Sequence, residues 1–136
     1  MNKRKIKPDI NQRFIKARQE TITGSPCKEI LRFHFAVMEV EAWILGMNQF
    51  LQQIDEHLTP ALILQQLQLE IASDPEITHY HPAQVLDDIY GLVGKKYGKH
   101  EGDICSITSA LCKEDYQGLM ISGKCNSFKK FVEEII

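Results

Sequence analysis

RFHFAVMEVEAWILGMNQF, residues 32–50, is the stretch that decides the predicted fold. Its first half alternates in polarity, which favours a β-strand from Lys28 to Met38. Its second half has apolar residues at helical intervals, which predict a helix from Glu39 to about Asp55. Those apolar residues are Val40, Trp43, Ile44 and Met47. The predicted junction between strand and helix therefore carries two carboxylates, Glu39 and Glu41.

These two carboxylates have two interpretations. Ligand sites often form where a strand end leads into a helix, because side chains leave the packed layer there and helix N–H groups point outward. The alternative is that Glu39 only caps the helix, since the helix dipole stabilises a carboxylate in the first turn.

The composition is typical of one globular domain. The chain has 136 residues, of which 43% are hydrophobic and 25% are charged. We find no apolar run near 18 residues and no leader pattern, so we expect no membrane span, no signal peptide and a cytoplasmic location. The four cysteines form no CxxC pair, and we expect them to be free and mostly buried thiols.

The charges are distributed unevenly along the chain. Residues 1–32 hold nine Lys/Arg and three acids, whereas residues 33–94 hold nine acids and no Lys or Arg. A basic head beside an acidic middle is consistent with a phosphate-binding strip next to a divalent-cation site. The alternative is a set of solvated faces without a ligand.

The rest of the pattern predicts a basic arm over residues 1–8 and a single domain over residues 9–136. We expect at least five helices with one or two strands, and therefore an α/β fold class. Helices are predicted at Asp9–Thr21, from Thr59-Pro60 to Ile71, from Pro82 to the Gly91–Gly94 region, at Ile104–Cys112 with Asp103 as the cap, and from Ser127. The loop GKKYGKHEGD, residues 94–103, brings three lysines.

Three smaller patterns have weak functional interpretations. His79 and His81 have the i, i+2 spacing of a zinc pair, but no third ligand stands at suitable spacing nearby. Asp87 and Asp88 lie on a helix and are expected to face solvent. Cys105 and Cys112 are seven positions apart, which is core spacing on a helix.

Several short segments together resemble a known family. They are EVEAWIL at residues 39–45, Pro75-Glu76, His81-Pro82, Tyr97-Gly98-Lys99, and Cys125 with Phe128 and Phe131. In order and spacing they resemble the bacterial Toprim-fold proteins related to the OLD-type nucleases. The resemblance covers about three quarters of the chain and corresponds to the C-terminal part of such a protein. The family's upstream glutamate strand and Asp-x-Asp have no counterpart here.

The resemblance implies a function as the C-terminal segment of a Toprim-type, metal-dependent, nuclease-like protein that is inactive on its own. It implies Mg²⁺ or Mn²⁺ held by Glu39 and Glu41, catalytic roles for Glu41 and Lys99, and nucleic acid as a partner. If Lys99 works with the two glutamates, its ammonium should lie within roughly 10 Å of their carboxylates.

The alternative function is a non-catalytic interaction module. In that case the chain is a subunit that completes a partner's sheet, or a homo-oligomer that pairs through residues 30–38. The sequence leaves open whether the chain is an enzyme.

Overall fold

The first part of the molecule is a single helix. The computed structural model of the protein describes residues 8–31 and 39–135, with side chains from residue 12 onward. The chain divides into two units, Met1–Phe35 and Ala36–Ile136. The first unit contains α1 (Pro8–Thr23), which agrees closely with the helix predicted there. Of the predicted basic arm, all residues except Pro8 lie outside the described part.

Helix α1 ends at Thr23, two residues beyond the predicted end at Thr21. The N–H of Gly24 donates to the carbonyl of Glu20 at 3.0 Å, and the chain then continues in turns as far as Ile30. The side chains of Phe14 and Ile15 are 44% and 37% exposed. These two apolar side chains of α1 are therefore largely exposed.

The second unit is built from short helices joined by tight loops. They are α2 (Glu41–Gly46), a 3₁₀ turn (Asn48–Phe50), α3 (Leu51–Ile54), α4 (Pro60–Leu67), α5 (Pro75–Thr78), α6 (Pro82–Gly91), α7 (Glu101–Ala110), α8 (Lys113–Ile121) and α9 (Asn126–Ile135). Helix α2 contacts both α5 and α6 and so lies at the centre of the unit.

The α/β prediction is wrong for the described part of the chain. Residues 8–31 and 39–135 contain helices and turns but no strand, so their fold class is all-α. The predicted strand began at Lys28, yet residues 28–30 lie in turns whose N–H groups bond locally: those of Ile30 and Leu31 both donate to the carbonyl of Cys27. Residues 32–38 of that strand, with nearly all of the expected pairing edge, lie outside the described residues.

Helix starts that depend on local capping were predicted well. Thr59 is the N-cap of α4, accepting a hydrogen bond from the Leu62 N–H at 3.2 Å, and Pro60 follows at the first helical position. Helix α6 begins at Pro82, as predicted. Helix α4, however, ends at Leu67 and not at Ile71, and Asp74 caps a separate helix, α5, by accepting from the Glu76 N–H.

The helix predicted from Glu39 to Asp55 is interrupted at Gly46. Helix α2 stops there because the glycine allows a close approach of another helix. A Cβ at position 46 would lie 2.7 Å from Leu119 Cδ1 and 3.0 Å from Cys125 Sγ. Packing against α8 and the loop before α9 thus favours glycine at this position, and Met47 after it leaves the helical conformation with φ −104° and ψ 48°.

Two apolar clusters hold the second unit together. The larger is centred on Leu45, Phe50, Leu86 and Ile89 and includes Tyr90 and Tyr97. The smaller cluster contains Met47, Leu119, Cys125 and Phe128, with Trp43 packed against it.

Trp43 also links the smaller cluster to two polar groups, the buried Ser127 and the partly buried Glu76. Its indole N–H lies 2.8 Å from Ser127 Oγ and 3.1 Å from Glu76 Oε1, and the Ser127 hydroxyl donates to Glu76. The Trp43 ring stacks on Phe131 with centroids 5.5 Å apart. These contacts join α2, α5 and α9, which lie far apart in the sequence.

The cysteines do not follow the expectation of mostly buried thiols. Cys27, Cys105 and Cys112 are exposed, and Cys125 is buried. The seven-residue spacing of Cys105 and Cys112 is not a helical core spacing, because α7 ends at Ala110 and Cys112 is the N-cap of α8. Burial raises the pKa of the Cys125 thiol to about 12.

Across the described ranges, no helix is long and apolar enough to cross a membrane.

Candidate functional site

The two glutamates of the EVEAW segment diverge from one another. Glu41 is the first residue of α2 and is buried, with only 3% of its surface exposed. Glu39 precedes the helix and is partly exposed. The carboxylate of Glu41 therefore lies inside the fold and that of Glu39 lies at its surface, although only one residue separates them.

Glu39 does cap a helix, but not the helix that follows it. Its Oε2 accepts a hydrogen bond from the Ala83 N–H at 3.0 Å, at the first turn of α6. Its Oε1 lies 3.3 Å from His81 Nδ1. The N–H groups at a helix start favour a carboxylate. The prediction that Glu39 caps the helix following it is nevertheless wrong, because its carboxylate bonds to α6, a helix distant in sequence.

Lys99 lies between the two carboxylates. Its Nζ is 3.3 Å from Glu41 Oε1 and 3.8 Å from Glu39 Oε2. The distances are well inside the limit of roughly 10 Å expected if the three side chains share a site. We call Glu39, Glu41 and Lys99 the carboxylate–lysine cluster.

Tyr97 holds the carboxylate of Glu41, the buried residue of the carboxylate–lysine cluster. Its hydroxyl donates to Glu41 Oε1 at 3.0 Å. Burial, followed by the hydrogen bond to Glu41, raises the pKa of the Tyr97 phenol. The hydroxyl therefore remains protonated and keeps donating to the carboxylate at neutral pH.

The loop that carries Lys99 is held at both ends by carboxylates. Asp87 Oδ1 accepts from the Tyr97 N–H at 2.9 Å. Asp103 Oδ2 accepts from the N–H groups of Gly98 and His100 at 2.8 and 3.2 Å. Lys99 itself has φ of 61°, a left-handed conformation that is costly for a residue with a side chain. These bonds offset that cost and aim the lysine at the glutamates.

The predicted helix cap at Asp103 differs in detail. Helix α7 begins at Glu101 with His100 as the N-cap, and Asp103 accepts from the His100 N–H as part of a capping box. Asp87 was expected to face solvent with Asp88, but it is half-buried and holds the loop. Asp88 is exposed and accepts from the Gln84 amide.

The two histidines of the THYHP segment do not share a ligand position. His79 is buried, and loss of solvent lowers the pKa of its imidazole. His81 is exposed and faces Glu39. In the part of the chain that the structure describes, no group of three His, Cys, Asp or Glu side chains could hold a metal ion.

The carboxylate–lysine cluster does not fit Mg²⁺ or Mn²⁺ as a self-contained site. Both oxygens of Glu39 and Oε1 of Glu41 already contact donors of this chain. Such ions require several oxygen ligands, and two partnered carboxylates are too few. Metal binding by Glu39 and Glu41 remains a prediction from the resemblance.

Comparison with protein-family models, with curated proteins and with solved structures found no match. The resemblance to Toprim and OLD-type proteins therefore stays a prediction.

The sequence indicated only part of this site. The glutamates and Lys99 were singled out, but Lys99 was connected to them through the resemblance and not through spacing. The roles of Tyr97, Asp87 and Asp103 in positioning them were missed. Local patterns give no signal for Tyr97 and Asp87, because only folding brings their partners near. Asp103 acts locally, on the N–H groups of Gly98 and His100, and the sequence indicated it only as a helix cap.

Proposed function

We propose that this chain is the C-terminal segment of a Toprim-type, metal-dependent nucleic-acid-processing protein, and that the isolated chain does not cleave nucleic acid. The observation that carries the proposal is the position of the Lys99 ammonium between Glu39 and Glu41. The proposal assigns Lys99 to contact with a phosphate oxygen. It assigns Glu39 and Glu41 to holding the lysine in place.

The chemistry of the lysine supports this assignment. An ammonium has three donor hydrogens, so contacts with two carboxylates leave one for a phosphate oxygen. The Lys99 side chain is 55% exposed, whereas that of Glu41 is 3% exposed. A phosphate can thus approach the lysine from solvent while the buried Glu41 carboxylate, itself bonded by Tyr97, holds the ammonium. A preorganised cation of this kind stabilises negative charge on a phosphate.

Two measurements test the proposal. The first is incubation of the purified chain with plasmid and single-stranded DNA in Mg²⁺ and in Mn²⁺, for which we expect no cleavage. Cleavage that requires the metal and disappears in Glu41→Ala would contradict the proposed inactivity.

The second measurement is binding of a fluorescent single-stranded oligonucleotide by anisotropy at low salt. We expect Lys99→Gln to weaken binding about fivefold to tenfold, since a phosphate contact is lost, and Lys99→Arg to retain most of the affinity. Lys113→Gln removes the same charge from an exposed position at the start of α8 and serves as the matched control. Equal affinities of Lys99→Gln and Lys113→Gln would refute the phosphate role of Lys99.

A second candidate function, a non-catalytic interaction module, is favoured by one observation. An apolar groove of about 230 Å³ lies beside the smaller apolar cluster. Val40, Ile104 and Tyr116 line it and are 48%, 38% and 38% exposed. An exposed apolar groove is typical of a surface that receives a large apolar side chain from a partner protein.

The oligomeric state tests the second candidate. If a second copy of this chain supplies that side chain, light scattering will show a dimer that Ile104→Glu converts to a monomer. A protein that stays monomeric at every concentration would rule out self-association through this groove. Self-association through residues 30–38 stays a prediction, because most of that segment lies outside the described residues.

A further inference from the structure

A second pocket lies beside the loop of Lys99 and is separate from the carboxylate–lysine cluster. Its volume is about 640 Å³, within the range of roughly 300–1,000 Å³ that is usual for small-molecule sites. Its lining is rich in hydrogen-bonding side chains from α6, α7 and the loop between them. The residues that matter here are Tyr90, Lys95, Lys96, Asp103, Ser106 and Ser109.

Tyr90 contributes a buried hydroxyl that has no hydrogen-bond partner in the described part of the chain. The residue is 4% exposed, and within the described part of the chain its hydroxyl is buried without a hydrogen-bond partner. Leaving a buried hydroxyl unpaired costs about 1–3 kcal/mol, so native proteins rarely retain one without a reason. Burial raises the pKa of Tyr90 to about 12, which keeps the hydroxyl protonated and able to donate.

The charges and donors around Tyr90 favour an anion. Lys95 and Lys96 are exposed and bring two positive charges, while Asp103 brings one negative charge. Asp103 is occupied in part by the N–H groups of Gly98 and His100. Lys95 also acts on Asp55, whose pKa is lowered mainly by hydrogen bonds from His57 and slightly by this lysine.

One hydroxyl of the pocket wall adds a further donor. Ser109 lines the wall, whereas the Ser106 hydroxyl already donates to the Gly102 carbonyl at 2.9 Å. Two ammonium groups and the Ser109 hydroxyl around a tyrosine O–H suit a phosphate, whose oxygens accept many hydrogen bonds.

We propose that this pocket binds a small phosphate-bearing molecule, with Lys95 and Lys96 neutralising its charge and the Tyr90 hydroxyl donating to it. The pocket exceeds the needs of a bare phosphate ion, so the ligand class is a phosphate monoester of a small organic group. This inference is independent of the proposed role of Lys99, whose side chain faces the glutamates.

Titration calorimetry with adenosine 5′-monophosphate tests the proposal, with inorganic phosphate as a second probe. We expect saturable binding of the nucleotide and competition by phosphate. Tyr90→Phe keeps the ring and removes only the hydroxyl, and we expect it to weaken binding of the nucleotide about tenfold. The double change Lys95→Gln with Lys96→Gln should weaken it by more than about tenfold.

The controls separate this site from the rest of the molecule. Lys130→Gln removes an exposed lysine of α9 and should bind the nucleotide as the wild type does. Circular dichroism establishes that each variant is folded.

Three results would overturn the proposal. One is equal affinity of wild type and Tyr90→Phe, which would make the hydroxyl an unpaired group without a ligand. Another is the absence of saturable binding of either probe at millimolar concentration. The third is displacement of the nucleotide by an oligonucleotide that carries only phosphodiesters, since the site would then belong to a nucleic-acid backbone.

Discussion

At the scale of single residues, the buried carboxylate of Glu41 needs hydrogen-bonding and charged partners. Glu41 is 3% exposed, and a carboxylate at that depth requires partners because the loss of hydration is costly. Tyr97 and Lys99 supply those partners from one short loop. The position of Lys99 is thus tied to the stability of the fold as well as to the proposed phosphate contact.

The Tyr97 hydroxyl should therefore contribute measurably to stability. We expect Tyr97→Phe to lower the free energy of unfolding by about 1–3 kcal/mol, because Glu41 loses a donor while it stays buried. Urea denaturation measures this. Tyr116→Phe changes an exposed tyrosine and should cost less than about 0.5 kcal/mol. Equal effects of the two changes would show that the bond to Glu41 adds nothing.

His79 should make stability depend on pH. Its pKa in the folded state is lowered from the ordinary 6.5 by burial, so the unfolded chain binds more protons below that pH. The stability conferred by a neutral His79 is complete above pH 6.5 and is lost as the pH falls toward the lowered value. Urea unfolding at pH 7, 6 and 5 should show this decline, and His79→Phe should make it shallower. An unchanged slope in His79→Phe would contradict the assignment.

At the scale of elements, caps and prolines in the local sequence account for the helix starts, whereas packing between distant residues accounts for where α2 ends. Thr59-Pro60 and Pro82 predicted helix starts correctly because a cap or a proline acts on its own neighbours. Helix α8 was missed, since within it only Leu119 is buried and no apolar stripe marks it. The break after α2 was missed because its cause, the approach of Leu119 to Gly46, is not visible in the local pattern.

Gly46 provides a test of this packing. Alanine favours a helix by about 1 kcal/mol over glycine, but at position 46 its Cβ would press on Leu119 and Cys125. We expect Gly46→Ala to destabilise the protein by about 1–3 kcal/mol. Gly118→Ala in α8 meets no atom within 4 Å and should instead stabilise it by up to about 1 kcal/mol. Thermal denaturation of the two variants gives the comparison, and stabilisation by both would contradict the close approach.

At the scale of the whole molecule, the sequence pattern led to the wrong fold class. Alternation over residues 28–38 favoured a strand, but turns occupy residues 28–30 and the other described residues are helical or irregular. Short alternating runs are ambiguous because neighbours in space decide whether they pair. The resemblance identified Glu39, Glu41 and Lys99 as one site, and the fold places them together.

The interaction energy between Lys99 and Glu41 shows whether the carboxylate–lysine cluster exists in solution. A double-mutant cycle with Lys99→Met and Glu41→Gln, followed by urea denaturation, measures their interaction free energy. The short contact to a buried carboxylate predicts a favourable coupling of roughly 1 kcal/mol, reduced by the exposure of the lysine. A coupling energy of zero within error would contradict the carboxylate–lysine cluster and the function proposed for it.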